Sequence, residues 1–364
     1  MRVLIAGNLA NMGFEIALAM RKKNVDAKLL LPKFPAQSED PKFLYPNLEN
    51  TGYPEWLVRF DKSNKSIGWN NWKLQIIREM RSRNYDVIIA MTEYPIFAMF
   101  SGKPYAALST GSDMRQLYFE RSLKGLLYRL SYKKAKIIIW GEPDKLSLLE
   151  KLKVSKKSLF ATAPRNVNIS PQKIERGDLA DKFIIFHPIA QDWELKQNKI
   201  FLHAYNKLCS IRDDVHLILS DRGPNIIEAK EILLNEKTRG KFQLIPFINF
   251  NSLQYYYNLS DVVVDQFAIG SIGMTSIEAM MYEKPILIKL NEELFKRCYK
   301  QIPGGIINVQ TEEEIFEALN KLALDKSFRQ RLGQKNKEWV EKYWNTDLLT
   351  DRYIDICNML LKNR

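Results

Sequence analysis

Cysteine and histidine are scarce in this chain, three of each in 364 residues. Cys209, Cys298 and Cys357 are odd in number, far apart and in no Cys-x-x-Cys pattern. That excludes a disulfide framework and a cysteine zinc site, and it fits a reducing compartment. His187, His203 and His216 share no metal-ligand spacing. No apolar run approaches the ~18 residues of a transmembrane helix, and residues 1–6 are too brief for the apolar region of a signal peptide. The expected location is the cytoplasm. Acids are also short in supply, 42 against 55 Lys and Arg, for a formal net charge of +13. Such an excess calls for polyanionic partners: nucleic acid, an anionic membrane surface or phosphorylated substrates. The lysines are scattered through helical stretches rather than gathered with aromatics on one face, so nucleic acid is not expected.

What the chain does contain is enough for two cores. With 46% hydrophobic and 27% charged residues it has a globular composition, and its length exceeds the usual single-core limit. Short β-branched runs read as strands at 3–6, 27–31, 86–90, 104–108, 137–140 and 159–162, then at 183–186, 215–219, 242–245, 262–264 and 285–288. Helical patterns separate them, at 72–81, 199–209, 225–235 and 251–259, and three more follow near 311–323, 326–341 and 346–362. Alternation of this kind predicts parallel sheets with ligand loops at one edge. Residues 164–178 read as a linker. Residues 32–69, with Phe34, Phe43, Tyr45, Tyr53, Trp56, Phe60 and Trp69, read as one long irregular loop of functional use.

The most informative stretch runs from 261 to 290. A β-branched strand gives way to a loop punctuated by Gly270 and Gly273, then a helix from about 274 to 282, then a second strand. Glycines between a strand and a helix N-terminus let backbone N–H groups approach a ligand and aim the helix dipole at phosphate or sugar oxygens. Glu278 lies one helical turn beyond. Its carboxylate is suited to accept two hydrogen bonds from a vicinal diol such as a ribose. Spacing alone leaves equally open that it is a solvated helix residue.

Gly273-Met274-Thr275-Ser276-Ile277-Glu278-Ala279-Met280, followed by Lys284-Pro285, resembles the donor-binding signature of retaining GT-B glycosyltransferases of the family 4 type, the glycosyl transferases group 1. The resemblance implies an α/β fold of two Rossmann-like domains facing across a cleft. Residues 1–165 would form the acceptor-side domain and 166–342 the nucleotide-sugar donor domain, with a C-terminal helix, 343–364, crossing back to the first. It also implies that Gly273, Met274 and Thr275 face the donor sugar and phosphates, and that Glu278 holds the ribose. In the loop after the 183–186 strand, Lys196 matches a Lys that clamps the donor diphosphate. The accompanying Arg is absent, with Arg222 or Lys199 as substitutes. Gly270 stands where the signature has its first Glu, with Asp265 or Gln266 as stand-ins.

In the first half, the loop ending in Gly13 resembles the first loop of the acceptor domain. Thr110-Gly111-Ser112-Asp113-Met114-Arg115 resembles the family's His-Gly-Ser-Asp-x-Arg, with Thr110 in place of the His. A carboxylate, a hydroxyl and a flexible backbone at the end of a strand line a ligand crevice; the same residues also suit a helix N-cap by Ser112 or Asp113. The resemblance makes Asp113 the catalytic candidate and Gly13, Thr110, Gly111, Ser112 and Arg115 acceptor-side residues. The Asp-x-Asp of the other glycosyltransferase fold is missing, so neither a metal nor a cofactor beyond the nucleotide-sugar co-substrate is expected. The implied activity is metal-independent hexosyl transfer, with retention, from a nucleotide sugar to a glycan or lipid-linked saccharide in polysaccharide or glycolipid synthesis. The departures keep a second reading open, a non-catalytic sugar- or nucleotide-binding protein with the same fold.

Residues 121–136 interleave Leu123, Leu126, Leu127 and Leu130 at helical spacing with Arg121, Lys124, Arg129, Lys133, Lys134 and Lys136. Such a helix suits an anionic lipid surface, which would make the protein peripheral on the inner face of the cell membrane. The core strand directly after it favours the alternative, leucines facing the core and charges facing water.

Overall fold

The β-branched runs assemble into two parallel sheets in the computed structural model, which describes residues 1–63, 71–167 and 169–362. Trp69 and Asn168 lie outside the described residues. The chain divides into two compact units, Met1–Arg165 together with Trp344–Arg364, and Asn166–Tyr343. The first holds β1 (Arg2–Ala6), β2 (Asp26–Pro32), β3 (Leu57–Phe60), β4 (Val87–Met91), β5 (Tyr105–Leu108), β6 (Ile137–Trp140) and β7 (Ser158–Phe160), in the order β3-β2-β1-β4-β5-β6-β7. The second holds β8 (Phe183–His187), β9 (Val215–Ser220), β10 (Phe242–Ile245), β11 (Val262–Val264), β12 (Ile286–Ile288) and β13 (Ile306–Asn308), in the order β10-β9-β8-β11-β12-β13. All the pairings are parallel. Helices on both faces bury the central strands, so β1, β4, β8 and β11 read as unbroken apolar runs rather than alternating ones. Both units are Rossmann-like, and the fold is the α/β class that the sequence predicts.

The last helix, Thr346–Lys362, belongs to the first unit. Tyr353, Ile356, Cys357 and Leu360 are fully buried in the same core as β1, β4 and the Met12–Lys22 helix. The entry into this helix is anchored by Trp344, whose indole N–H donates to the Ala163 carbonyl (3.1 Å), and by Thr346, whose hydroxyl donates to the Arg165 carbonyl (2.7 Å).

Three expectations change. The segment read as one irregular loop contains β3 and two short helices, Pro41–Leu44 and Leu48–Thr51. Its aromatics are largely structural: Tyr45 and Trp56 pack on Phe14, with ring centroids 5.1 and 5.0 Å away, whereas Phe34 is 84% exposed. Hydrophobic periodicity failed here because β3 is only four residues long at a sheet edge. The polar stretch read as a linker is fastened to the second unit. Arg176 pairs with both oxygens of Asp261 (3.1 Å each), and Lys337 donates to the carbonyls of Val167 and Ile169 (3.2 and 2.6 Å). Finally, the Leu123–Lys134 helix buries Gly125, Tyr128, Ser131 and Tyr132, not its leucines.

Candidate functional site

In each sheet the strand order reverses once, between β1 and β4 and between β8 and β11. Loops leaving the carboxyl ends on either side of such a reversal diverge and open a crevice. In the second unit these are the loops after His187 and after Val264. His187 is fully buried; its Nδ1–H donates to the Val264 carbonyl (2.8 Å) and its Nε2 accepts from the Asn198 amide (3.1 Å). Burial lowers its pKa to about 4, so the ring is neutral. Asn198 also donates to the Ala190 carbonyl (3.0 Å) and accepts from the Asp192 N–H (3.1 Å). His187 and Asn198 therefore latch the 188–198 loop to the end of β11.

That loop carries Lys196. Its backbone carbonyl accepts from the Phe267 N–H (2.8 Å), which ties it to the loop after β11. Its ammonium makes no hydrogen bond or ion pair with any of the described residues. It is within electrostatic reach of Asp265, a fully buried carboxyl whose pKa burial raises and which accepts from the Ser276 hydroxyl. Arg222, after β9, lies on the same edge. It donates to the Ser220 hydroxyl (3.2 Å) and the Pro188 carbonyl (3.4 Å), and its guanidinium lies over the Phe247 ring at 4.6 Å. Among the described residues no carboxylate pairs with it. Its burial also disfavours the charged form, though a guanidinium keeps its charge.

The loop after β11 is organised by Gln266. Its side-chain oxygen accepts from the N–H groups of Ala268 and Ile269 (2.7 and 2.6 Å), and its amide donates to the Ser271 carbonyl (2.9 Å). Gly270 adopts φ +72° and leaves no side chain at that point of the loop. Asp265 and Gln266, the stand-ins for the missing Glu, are thus both engaged, Gln266 within the loop and Asp265 with Ser276 of the helix that follows. The chain then enters the Met274–Met281 helix at Gly273, where a Cβ would meet nothing within 4 Å. Gly273, Met274 and Thr275 are partly exposed at this N-terminus, and Glu278 is 9% exposed one turn on. The Tyr257 hydroxyl donates to Glu278 (3.0 Å), and the Tyr257 ring stacks on Tyr282 at 5.4 Å. Lys196, Arg222 and the glycine-led helix start are brought to one edge, with Glu278 held in place behind them.

In the first unit, Gly13 opens the Met12–Lys22 helix so close to β1 that a Cβ would lie 2.1 Å from the Gly7 carbonyl oxygen. Thr110, Gly111, Ser112, Asp113 and Arg115 follow β5. Asp113 is 2% exposed and accepts from the N–H groups of Thr110, Gly111 and Met114 (3.1, 2.8 and 2.9 Å) and from the hydroxyls of Ser109 (3.2 Å) and Tyr132. Arg115 pairs with both oxygens of Asp144 (2.8 and 2.9 Å) and with Glu142 (2.9 Å). Ser112 is exposed and Thr110 partly so. Among the described residues no group of three His, Cys, Asp or Glu is arranged to hold a metal ion.

Sequence reasoning missed the partners of these residues: Tyr257 on Glu278, Phe247 under Arg222, Asn198 on His187, and Tyr132 on Asp113. Only Glu142 and Asp144 carried a usable signal, because they directly follow β6 and so fall on the same sheet edge as the loop after β5.

Two Rossmann-like units with the terminal helix returned to the first are the architecture of GT-B glycosyltransferases. Residues 172–339, somewhat under half of the chain, match the family model described as glycosyl transferases group 1. The match supports a group 1 glycosyltransferase. Among solved structures the chain is similar to the Anabaena HepE protein in complex with UDP, with a TM-score of 0.74 at 14% identity over 99% of this chain and 100% of that one. It is also similar to sucrose-phosphate synthase from Thermosynechococcus elongatus (TM-score 0.72, 13% identity, 100% of each chain). A glycosyltransferase from Rickettsia africae aligns at TM-score 0.69 and 15% identity, over 100% of this chain and 99% of that one. No curated protein sequence matches the chain.

Proposed function

We propose that the protein is a glycosyltransferase of the family 4 type. It moves a hexosyl group, with retention and without a metal, from a nucleotide sugar to a saccharide or lipid-linked saccharide. The observation that carries this reading is the cluster at the β8 and β11 edge. Lys196 and Arg222, with no carboxylate paired to either among the described residues, lie in loops at the same sheet edge as the open start of the Met274–Met281 helix. A departing nucleoside diphosphate needs fixed positive charge and N–H donors where its own charge grows. Lys196, Arg222 and the N–H groups of Gly273, Met274 and Thr275 supply both, and Glu278 takes the ribose diol. The HepE protein has been solved with UDP and with UDP-glucose, which favours a UDP-sugar as the first donor to try. On the acceptor side, Gly13, Thr110, Gly111 and Ser112 meet the substrate. Asp113 and Arg115 serve as positioning residues, because their hydrogen bonds are taken up in holding the loop. The setting is cytoplasmic, in polysaccharide or glycolipid synthesis.

A second reading, nucleotide-sugar binding without transfer, draws support from Gly270, which offers no carboxylate, and from Asp113, whose oxygens are already engaged. A thermal-shift panel of nucleotide sugars, followed by donor hydrolysis without acceptor, separates the two. A ligand at 100 times its dissociation constant adds about 2.7 kcal/mol of stability. Stabilisation with steady release of nucleoside diphosphate supports transfer. Stabilisation without release supports the binding protein, and no stabilisation by any nucleotide sugar overturns both. Glu278→Gln is expected to weaken nucleotide binding by about 1.5–3 kcal/mol, the worth of a hydrogen bond to a charged group. Calorimetry showing unchanged affinity would remove Glu278 from the site.

A further inference from the structure

The Leu123–Lys134 helix offers the fold two stripes to bury, and the fold takes the less apolar one. Gly125, Tyr128, Ser131 and Tyr132 face inward, and polar atoms of Gly125, Ser131 and Tyr132 are committed. Tyr132 donates to Asp113, the Tyr105 hydroxyl donates to the Ser131 carbonyl, and Ser122 caps the first turn by accepting from the Gly125 N–H (3.1 Å). At the other end the Lys157 ammonium donates to the carbonyls of Tyr132, Lys133 and Ala135 (2.8, 2.7 and 3.0 Å). Rolling the helix to hide its leucines would strip the buried Asp113 of its Tyr132 partner. Three of the four leucines therefore stay in water, with Leu127 half-buried: Leu123 is 74% exposed, Leu126 45% and Leu130 38%, with Phe119, in the turn just before, at 45%.

The charge on the helix itself is of one sign, with Glu120, exposed next to Phe119, the one acid beside it in sequence. Arg121, Lys124, Lys133, Lys134 and Lys136 are all exposed, and there is no Asp or Glu from 121 to 136. We propose that this face docks on an anionic lipid bilayer, with Leu123, Leu126 and Leu130 at the boundary of headgroups and acyl chains and the lysines on the anionic headgroups. Two copies of the chain meeting through this face would bring like charges together, which is repulsive. A nucleic acid would reward stacked aromatic side chains rather than leucines. The inference stands on this helix alone and does not depend on the proposed sugar transfer.

Sedimentation of the full chain with vesicles of phosphatidylcholine, with and without phosphatidylserine, tests it. Binding is expected only to the anionic vesicles and should fall with salt, since exposed charges are screened within a Debye length of ~8 Å at physiological ionic strength. A variant with Lys124→Ser, Lys133→Ser and Lys134→Ser is expected to bind about a hundredfold more weakly, because each basic residue near such a surface is worth about 1 kcal/mol. A variant with Leu123→Asn, Leu126→Asn and Leu130→Asn should lose the part of the binding that survives high salt. Arg129 is left intact, since its guanidinium holds the carbonyls of Tyr118 and Glu120 (2.8 and 2.9 Å). All six substituted side chains are exposed, so unchanged circular dichroism is expected for both variants. Equal binding to both kinds of vesicle, binding to neither, or wild-type binding by both variants would overturn the proposal. So would a dimer in vesicle-free solution that the leucine variant disperses.

Discussion

Asp113 and His187 are buried polar residues whose hydrogen bonds run inward, and each predicts a measurable cost. Asp113→Asn places an amide where N–H groups already converge, so at least one donor loses its acceptor. Stability should fall by about 1–3 kcal/mol in chemical denaturation while nucleotide affinity holds; equal loss of both would tie Asp113 to the donor instead. For His187, burial depresses the folded pKa to about 4 from the ordinary 6.5. The unfolded chain therefore binds the proton first as pH falls. The stability this residue contributes is fully present above pH 6.5, declines through the window from 6.5 to 4, and amounts to ~3 kcal/mol at most. The buried carboxyls Glu15 and Asp265 have raised pKa values and act in the opposite sense. The comparison must accordingly be the difference in unfolding free energy between wild type and His187→Gln across that window. A flat difference would mean that the ring is already protonated or solvated.

The Met274–Met281 helix, which carries the donor residues, is held from behind by the Lys326–Tyr343 helix. Gly333 of the second helix comes so close to the end of the first that a Cβ would lie 1.9 Å from the Glu283 carbonyl oxygen. Three residues on, Asn336 donates to the Lys284 carbonyl (2.8 Å) and accepts from the Gly305 N–H (3.0 Å). Lys337 donates to the Met281 carbonyl (3.1 Å), placing a cation at the negative end of the helix dipole. Gly333→Ala forces backbone apart from backbone. Overpacking of this kind typically costs about 1–3 kcal/mol, so melting should drop by roughly 2–4 °C per kcal/mol for a unit of this size, with weaker nucleotide binding alongside. A variant with unchanged melting would mean that the two helices separate freely.

At the scale of the whole molecule, the first unit is completed by residues far away in the chain. Tyr353, Ile356, Cys357 and Leu360 are fully buried in its core. Removing them withdraws about 1.5–3 kcal/mol of burial for each large apolar side chain, comparable in sum to the roughly 5–15 kcal/mol that holds a domain together. Truncation after Tyr343 should therefore unfold the first unit while the second, which keeps all its strands, melts as before. Circular dichroism of the truncated chain should retain only the second unit's transition. A full-length melting profile would show that the last helix is dispensable.

The sequence by itself determined the two parallel sheets, because apolar runs of this brevity between amphipathic stretches fit only strands covered on both faces. It also located the glycine-led start of the Met274–Met281 helix, since residues that must sit at a strand-to-helix loop are neighbours in the chain. Elements without strong periodicity, β3 and β13, were not legible, being three or four residues at sheet edges. Tertiary structure alone decided which stripe of the Leu123–Lys134 helix is buried, because the choice depends on Asp113, Tyr105 and Lys157, which reach it from other elements. It likewise decided that Asp113 and Arg115 are occupied within the first unit while Lys196 and Arg222 are left without carboxylate partners among the described residues. A charged side chain's availability is set by what lies opposite it, and spacing along the chain carries no record of partners 19 to 21 residues away, as for Tyr132 with Asp113 and Tyr257 with Glu278.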